Sequence, residues 1–187
     1  STHRQGERMA AKTADYTNWI DPNLNPNIYC VGTTKQEYMS WRNGSPIRMK
    51  LTEDTLHERA GQFIARLSKA IYGKTAYRRF KLTIPNALTL EGNGNGRSCF
   101  WLSHEKDPRS LKERGKVRYH FNILLRKPEW MPFDQLEEII KNIWRSCDWT
   151  MPDINIEERT GDCVGYSLKE GPETLVTKTL SFGRSMQ

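Results

Sequence analysis

The chain has few cysteines, and none is paired in a way that binds zinc. Cys30, Cys99, Cys147 and Cys163 stand far apart, with no Cys-x-x-Cys and no close Cys/His doublet. They read as reduced, buried thiols. No run of about 18 apolar residues occurs, and Ser1-Thr2-His3-Arg4-Gln5-Gly6-Glu7-Arg8 has none of the apolar stretch of a signal peptide. Membrane spanning and secretion are therefore not expected. The expected location is intracellular, in the cytoplasm of a prokaryote or the nucleus of a eukaryotic host. Also missing is Gly-x-x-x-x-Gly-Lys-Ser/Thr. Gly92-Asn93-Gly94-Asn95-Gly96 lacks the Lys-Ser/Thr that a phosphate-cradling loop needs, so it reads as a turn and P-loop ATPase chemistry is not expected.

What the chain does have is unevenly placed positive charge. Over 187 residues, 29 Lys and Arg face 22 Asp and Glu, a net charge of +7. Between Lys74 and Lys127 thirteen basic residues stand against four acidic ones, a surplus larger than that of the whole chain, so the remainder is slightly acidic. A basic segment interleaved with Phe, Tyr and Trp suits a phosphate backbone and unstacked bases. Arg79, Lys81, Thr83, Arg97, Lys116 and Arg118 are its candidate nucleic-acid contacts. Trp19, Trp41 and Trp130 are further candidates for base stacking, although packing is the simpler use of each.

The length fits one domain with an extension. Residues 1–50 are polar, punctuated by Asp21-Pro22-Asn23-Leu24-Asn25-Pro26-Asn27, and read as an irregular N-terminal arm; residues 51–187 read as the domain, with its core over about 77–182. Thr55-Leu56-His57-Glu58 has the form of a capping box, and Leu56, Ala60, Phe63, Ile64, Leu67 and Ile71 recur at helical spacing, so an extra helix precedes the core. Strands are expected over Tyr77–Ile84, Ser98–Glu105, Val117–Leu125, around Ile154 and Ile156, and over Thr174–Phe182. In the third of these, Val117, Tyr119, Phe121, Ile123 and Leu125 form the apolar face. A helix opening at Pro132-Phe133-Asp134, with Asp134 as its cap, and a short one over Cys163–Glu170 complete the pattern. The fold class is α+β, with helices on a five-stranded antiparallel sheet.

Two small constellations carry chemistry. His120 and Asn122 fall on one face of their strand, about 7 Å apart, and Glu105 at the end of the preceding strand adds a carboxylate, with His104 as the alternative one register away. One nitrogen and two oxygens suit a hard or borderline divalent cation, Mg²⁺ or Mn²⁺. Tyr166 and Lys169 are three residues apart on the short helix, and so project side by side. A phenol beside an ammonium is a nucleophile in waiting, since the cation favours phenolate and offsets charge built up on a phosphate.

In order along the chain, Arg79-Phe80-Lys81-Leu82-Thr83, then Tyr119-His120-Phe121-Asn122, then Gly165-Tyr166-Ser167-Leu168-Lys169 resemble the three motifs of single-tyrosine HUH endonucleases of the rolling-circle Rep type. The likeness covers Tyr77 to Phe182. Asn122 stands where that family has its second histidine, and offers an amide oxygen like the glutamine of eukaryotic-virus relatives. The His motif precedes the Tyr motif, unlike the order in conjugative relaxases.

The resemblance implies a nickase on a five-stranded sheet that cuts single-stranded DNA at an origin or element end. Tyr166 would be the nucleophile and Lys169 its electrostatic helper. His120, Asn122 and Glu105 would ligate the divalent metal. The products would be a 5′-phosphotyrosine and a free 3′-hydroxyl, religated without ATP. Single-stranded DNA is the implied partner, with a helicase in cis or in trans. Two alternatives stand beside it: a single-tyrosine transposase or mobilisation protein, and a non-catalytic module that binds single strands by stacking and phosphate contacts.

Overall fold

The computed structural model describes residues 2–92, 118–159 and 163–183. Helix α1 (Thr2–Leu24) leads into β1 (Ile28–Thr34) and a hairpin of β2 (Glu37–Arg42) and β3 (Ser45–Lys50). Then come α2 (Glu53–Tyr72), α3 (Lys74–Phe80), β4 (Asn86–Glu91), β5 (His120–Leu125), α4 (Phe133–Ser146), β6 (Thr150–Glu158), α5 (Cys163–Ser167) and a 3₁₀ turn at Pro172–Thr174. The architecture is α+β: an antiparallel four-stranded sheet in the order β4-β5-β1-β6, a separate two-stranded sheet β2-β3, and helices.

Residues 1–50 are therefore not an irregular arm. They hold a helix and three strands, and β1 lies inside the main sheet between β5 and β6. Its sequence, Ile-Tyr-Cys-Val-Gly-Thr-Thr, is apolar and β-branched on both faces, as an inner strand requires. The Asn-Pro punctuation before it marks the break between α1 and β1 instead.

Period-two alternation sorts the sheet into two faces. On one, Ile28 and Cys30 of β1, Leu88 and Leu90 of β4, and Phe121, Ile123 and Leu125 of β5 pack against α2 and α4. The alternation expected of β5 is borne out there. Trp144 of α4 is fully buried, meets Phe63 and Trp149 edge to face, and donates its indole N–H to the Met151 carbonyl at 2.8 Å. It lies over Gly32, where any Cβ would overlap the indole ring. On the other face, Tyr29, Ala87 and Leu124 pack beneath Ile20 and Leu24 of α1 and Cys163, Val164 and Leu168 around α5. Cys30 and Cys163 are buried and outside any disulfide, Cys147 is half-buried rather than buried, and Cys99 lies outside the described residues. Burial pushes the Cys30 thiol upward.

Two expected strands differ. The strand expected over Tyr77–Ile84 is α3, ended by Lys81 in the left-handed region, and strand pairing begins only beyond Pro85, which has no N–H to give a ladder. Three alternating apolar residues were outweighed by good helix formers such as Ala76, Arg78 and Arg79. The segment Thr174–Phe182 adds no full strand, only single bridges from Leu175 to Thr89 and from Ser181 to Asn86. The expected strand over 98–105 lies outside the described residues, and among them the main sheet has four strands rather than five. The cap of α2 is Thr52, whose hydroxyl accepts from Thr55 N–H at 3.2 Å, one turn before the expected box. Pro132 rather than Asp134 precedes α4. Among the described residues no helix is long and apolar enough to cross a membrane.

Candidate functional site

Along the α1/α5 face of the sheet the cross-strand pairs change character in one direction. Ala87 faces Leu124, Thr89 faces Asn122, and Glu91 faces His120, so an apolar end grades into a polar, then an ionisable one. His120 Nε2 lies 2.9 Å from Oε2 of Glu91, a carboxylate that is only 7% exposed. On the other side of the imidazole, Nδ1 is 3.3 Å from the Arg118 carbonyl, which can only accept. With an acceptor on each side, the imidazole bridges the Arg118 carbonyl and the Glu91 carboxylate.

The Tyr166 and Lys169 side chains reach this polar end from α5 and the turn after it. Lys169 Nζ sits 4.0 Å from the centre of the Tyr166 ring and 3.9 Å from Glu91 Oε2. Tyr166 is half exposed, and its ring meets that of Tyr29 edge to face at 6.2 Å. Four residues picked from separate parts of the sequence, or found only in the structure, thus form one chain of contacts: Tyr166, Lys169, Glu91, His120.

Asn122 is placed differently. It is 2% exposed; its Oδ1 accepts from the Tyr29 hydroxyl at 3.0 Å and its Nδ2 donates to Thr89 Oγ1 at 3.1 Å. Both ends of the amide are used within the sheet, which makes it a brace beneath His120. Burial, with Tyr166 and Glu91 close by, pushes the Tyr29 phenol up to about 12, so it stays a donor. Glu105 and His104 lie outside the described residues, as do Arg97 and Lys116. Among the described residues, the carboxylate that meets His120 is Glu91. Its signal was in the sequence, as the end of an apolar run, Ala87-Leu88-Thr89-Leu90-Glu91, whose placement in β4 the motif reading missed.

Arg118 is half-buried, with Nη1 3.7 Å from Met151 Sδ. Arg79, Lys81 and Thr83 are not at this site: they precede β4, at the end of the strand away from Glu91.

His120 and Glu91 border an open cleft of about 640 Å³, together with Glu53, Glu170, Glu173 and Lys169. Four carboxylates against one ammonium would repel a phosphodiester. A divalent cation there would offset two of those three surplus negative charges. The residues fit such an ion in one further respect, since Glu91 Oε1 is buried without a hydrogen-bond partner, an expensive state for a carboxylate oxygen. No cluster of three His, Cys, Asp or Glu ligands occurs among the described residues, so the pair would share the ion with water or substrate oxygens.

No protein-family model matches the chain, and neither a curated protein nor a solved structure matches it.

Proposed function

We propose that the chain is a metal-dependent single-strand DNA nickase and ligase of the single-tyrosine HUH, Rep-like type, acting at a replication origin. The observation that carries this reading is the contact chain from Tyr166 through Lys169 to the Glu91–His120 pair, which brings the third motif beside the second. Tyr166 Oη attacks the phosphorus; the Oη–P bond forms, the P–O3′ bond breaks, and the phenolic proton ends on the 3′-oxygen. Lys169 stabilises the phenolate and the phosphate charge. His120 and Glu91 would hold Mg²⁺ or Mn²⁺, which supplies polarisation of the phosphodiester. Asn122 and Tyr29 position the strand that carries His120 rather than ligate. The five-stranded nuclease form and a helicase partner belong to the same proposal, and action at a transposon or mobilisable element's end would use the same residues.

A non-catalytic single-strand binding module is favoured by the engagement of Asn122 within the sheet and by the surplus of carboxylates around His120. The test is incubation with single-stranded oligonucleotides and Mn²⁺, followed by mass spectrometry. An adduct on Tyr166, absent from Tyr166→Phe, supports the nickase; binding without any cleavage by either protein supports the module.

A further inference from the structure

Beyond the other end of β4 lies a second groove, of about 680 Å³, lined by Tyr72, Lys81, Arg126, Lys127, Glu129 and Trp130 among others. At strand rise, six-residue β4 sets it about 17 Å from the His120–Glu91 cleft. Its charge is opposite to that of the cleft, with three cations against the single carboxylate of Glu129.

Among the described residues no carboxylate forms an ion pair with those cations. Arg126 Nη2 donates to the Phe182 carbonyl at 2.9 Å, and Lys127 Nζ to the carbonyls of Met131 and Pro128 at 2.6 and 3.2 Å, so neutral groups fix their positions while their charge remains. Lys81 forms no ion pair among the described residues. It occupies φ 55°, ψ 37°, where Gly or Asn would be less strained. Gly183 comes so close that a Cβ would stand 3.2 Å from Arg126 Nη2, so a glycine there leaves room for the guanidinium where the Phe182 carbonyl holds it.

An aromatic surface accompanies the charge. Trp130 is 63% exposed, the largest ring on the groove, and Phe80 beside Lys81 is 48% exposed beneath the Arg79 guanidinium. Arg78 and Arg79 in the last turn of α3 continue the positive field outward. Cations beside an exposed indole on one groove suit a strand that carries both phosphates and bases. An acidic peptide would satisfy the charge and leave Trp130 wet.

We propose that this groove holds a single-stranded segment of nucleic acid, with phosphates at Lys81, Arg126 and Lys127 and a base stacked on Trp130, as an anchor separate from the cleft. Naming the strand DNA rests on the nickase reading; the groove's chemistry does not.

The test uses the full chain and a fluorescein-labelled oligothymidylate of roughly 16 nucleotides, the upper site size of one small binding module. Affinity is read by anisotropy across a salt series, with an EDTA-containing buffer to remove divalent ions. Trp130→Ala should weaken binding roughly 5- to 100-fold, the usual worth of one stacked base. Lys81→Asn, which suits the left-handed backbone and so keeps the fold, should weaken binding and lower the salt slope by about 0.7. Wild-type affinity in both groove variants overturns the proposal. Displacement of the oligonucleotide by polyglutamate at equal charge also overturns it, since charge alone would then be read. Adduct formation by the same proteins, read in separate samples with a random pool of single-stranded DNA and Mn²⁺ in place of EDTA, separates the two ideas: groove variants that lose binding in a protein that never forms an adduct leave the anchor standing and the nickase reading failed. Normal binding by those variants in a protein that does form one has the reverse meaning.

Discussion

Glu91 and His120 face each other across adjacent strands, and one oxygen of Glu91 also lies 3.9 Å from the Lys169 ammonium. A single buried carboxylate therefore ties the histidine of one motif to the lysine of another. Glu91→Gln keeps the shape and removes the charge. It should lower Mn²⁺-dependent cleavage on the order of 10²-fold or more, as loss of a charged group at a reacting centre does, while leaving oligonucleotide affinity near wild type. Calorimetric titration with Mn²⁺ in the absence of DNA supplies the independent check: weaker binding in Glu91→Gln and in His120→Ala is expected.

Lys169→Met removes the ammonium that lies against the Tyr166 ring. Single-turnover cleavage should slow roughly 10²-fold with little change in the oligonucleotide concentration that half-saturates it, because the charge acts on the transition state. Lys169→Arg should recover part of the rate. A loss confined to affinity would assign Lys169 to binding instead.

Tyr29→Phe tests the brace beneath the site. Removing the hydroxyl leaves the buried Asn122 Oδ1 without its donor, a cost of about 1–3 kcal/mol in urea unfolding. The pH dependence has a definite sign. The folded Tyr29 phenol is held up at about 12, above its ordinary 10, so its contribution is fully present below pH 10 and is lost as pH rises from about 10 through about 12. The stability of Tyr29→Phe should fall less steeply over that window.

Gly32→Ala sets a methyl group into the Trp144 indole, and overpacking of this kind costs about 1–3 kcal/mol. Trp144→Leu leaves room for that methyl group. The double variant should therefore be more stable than the sum of the two single losses, measured by denaturant unfolding.

The parts of the fold that were legible from sequence are those with long periodic patterns. The stripes of α2 and α4 and the alternation of Phe121, Ile123 and Leu125 each repeat often enough to fix both type and face. Residues 28–34 were missed because an inner strand buried on both sides has no alternation to display, and polar neighbours masked it. Arg79 to Thr83 was misread as a strand because three alternating apolar residues also fit one helical turn followed by extended chain. At the site, Tyr166 and His120 were recoverable because local spacing places each on its element, whereas the helix expected over Cys163–Glu170 ends at Ser167 and Lys169 lies in the turn after it. Glu91 was not, because its meeting with His120 depends on the β4–β5 register, which no local pattern encodes.

The central claim is that the Tyr166 hydroxyl becomes covalently bound to DNA beside the Glu91–His120 pair. Peptide mapping by mass spectrometry, after incubation of the full chain with a random pool of single-stranded DNA and Mn²⁺, measures this directly. The account predicts a nucleotide mass on the peptide containing Tyr166, lost with EDTA and in Tyr166→Phe. An adduct on another residue, or bound DNA that stays uncut under every condition, would contradict it.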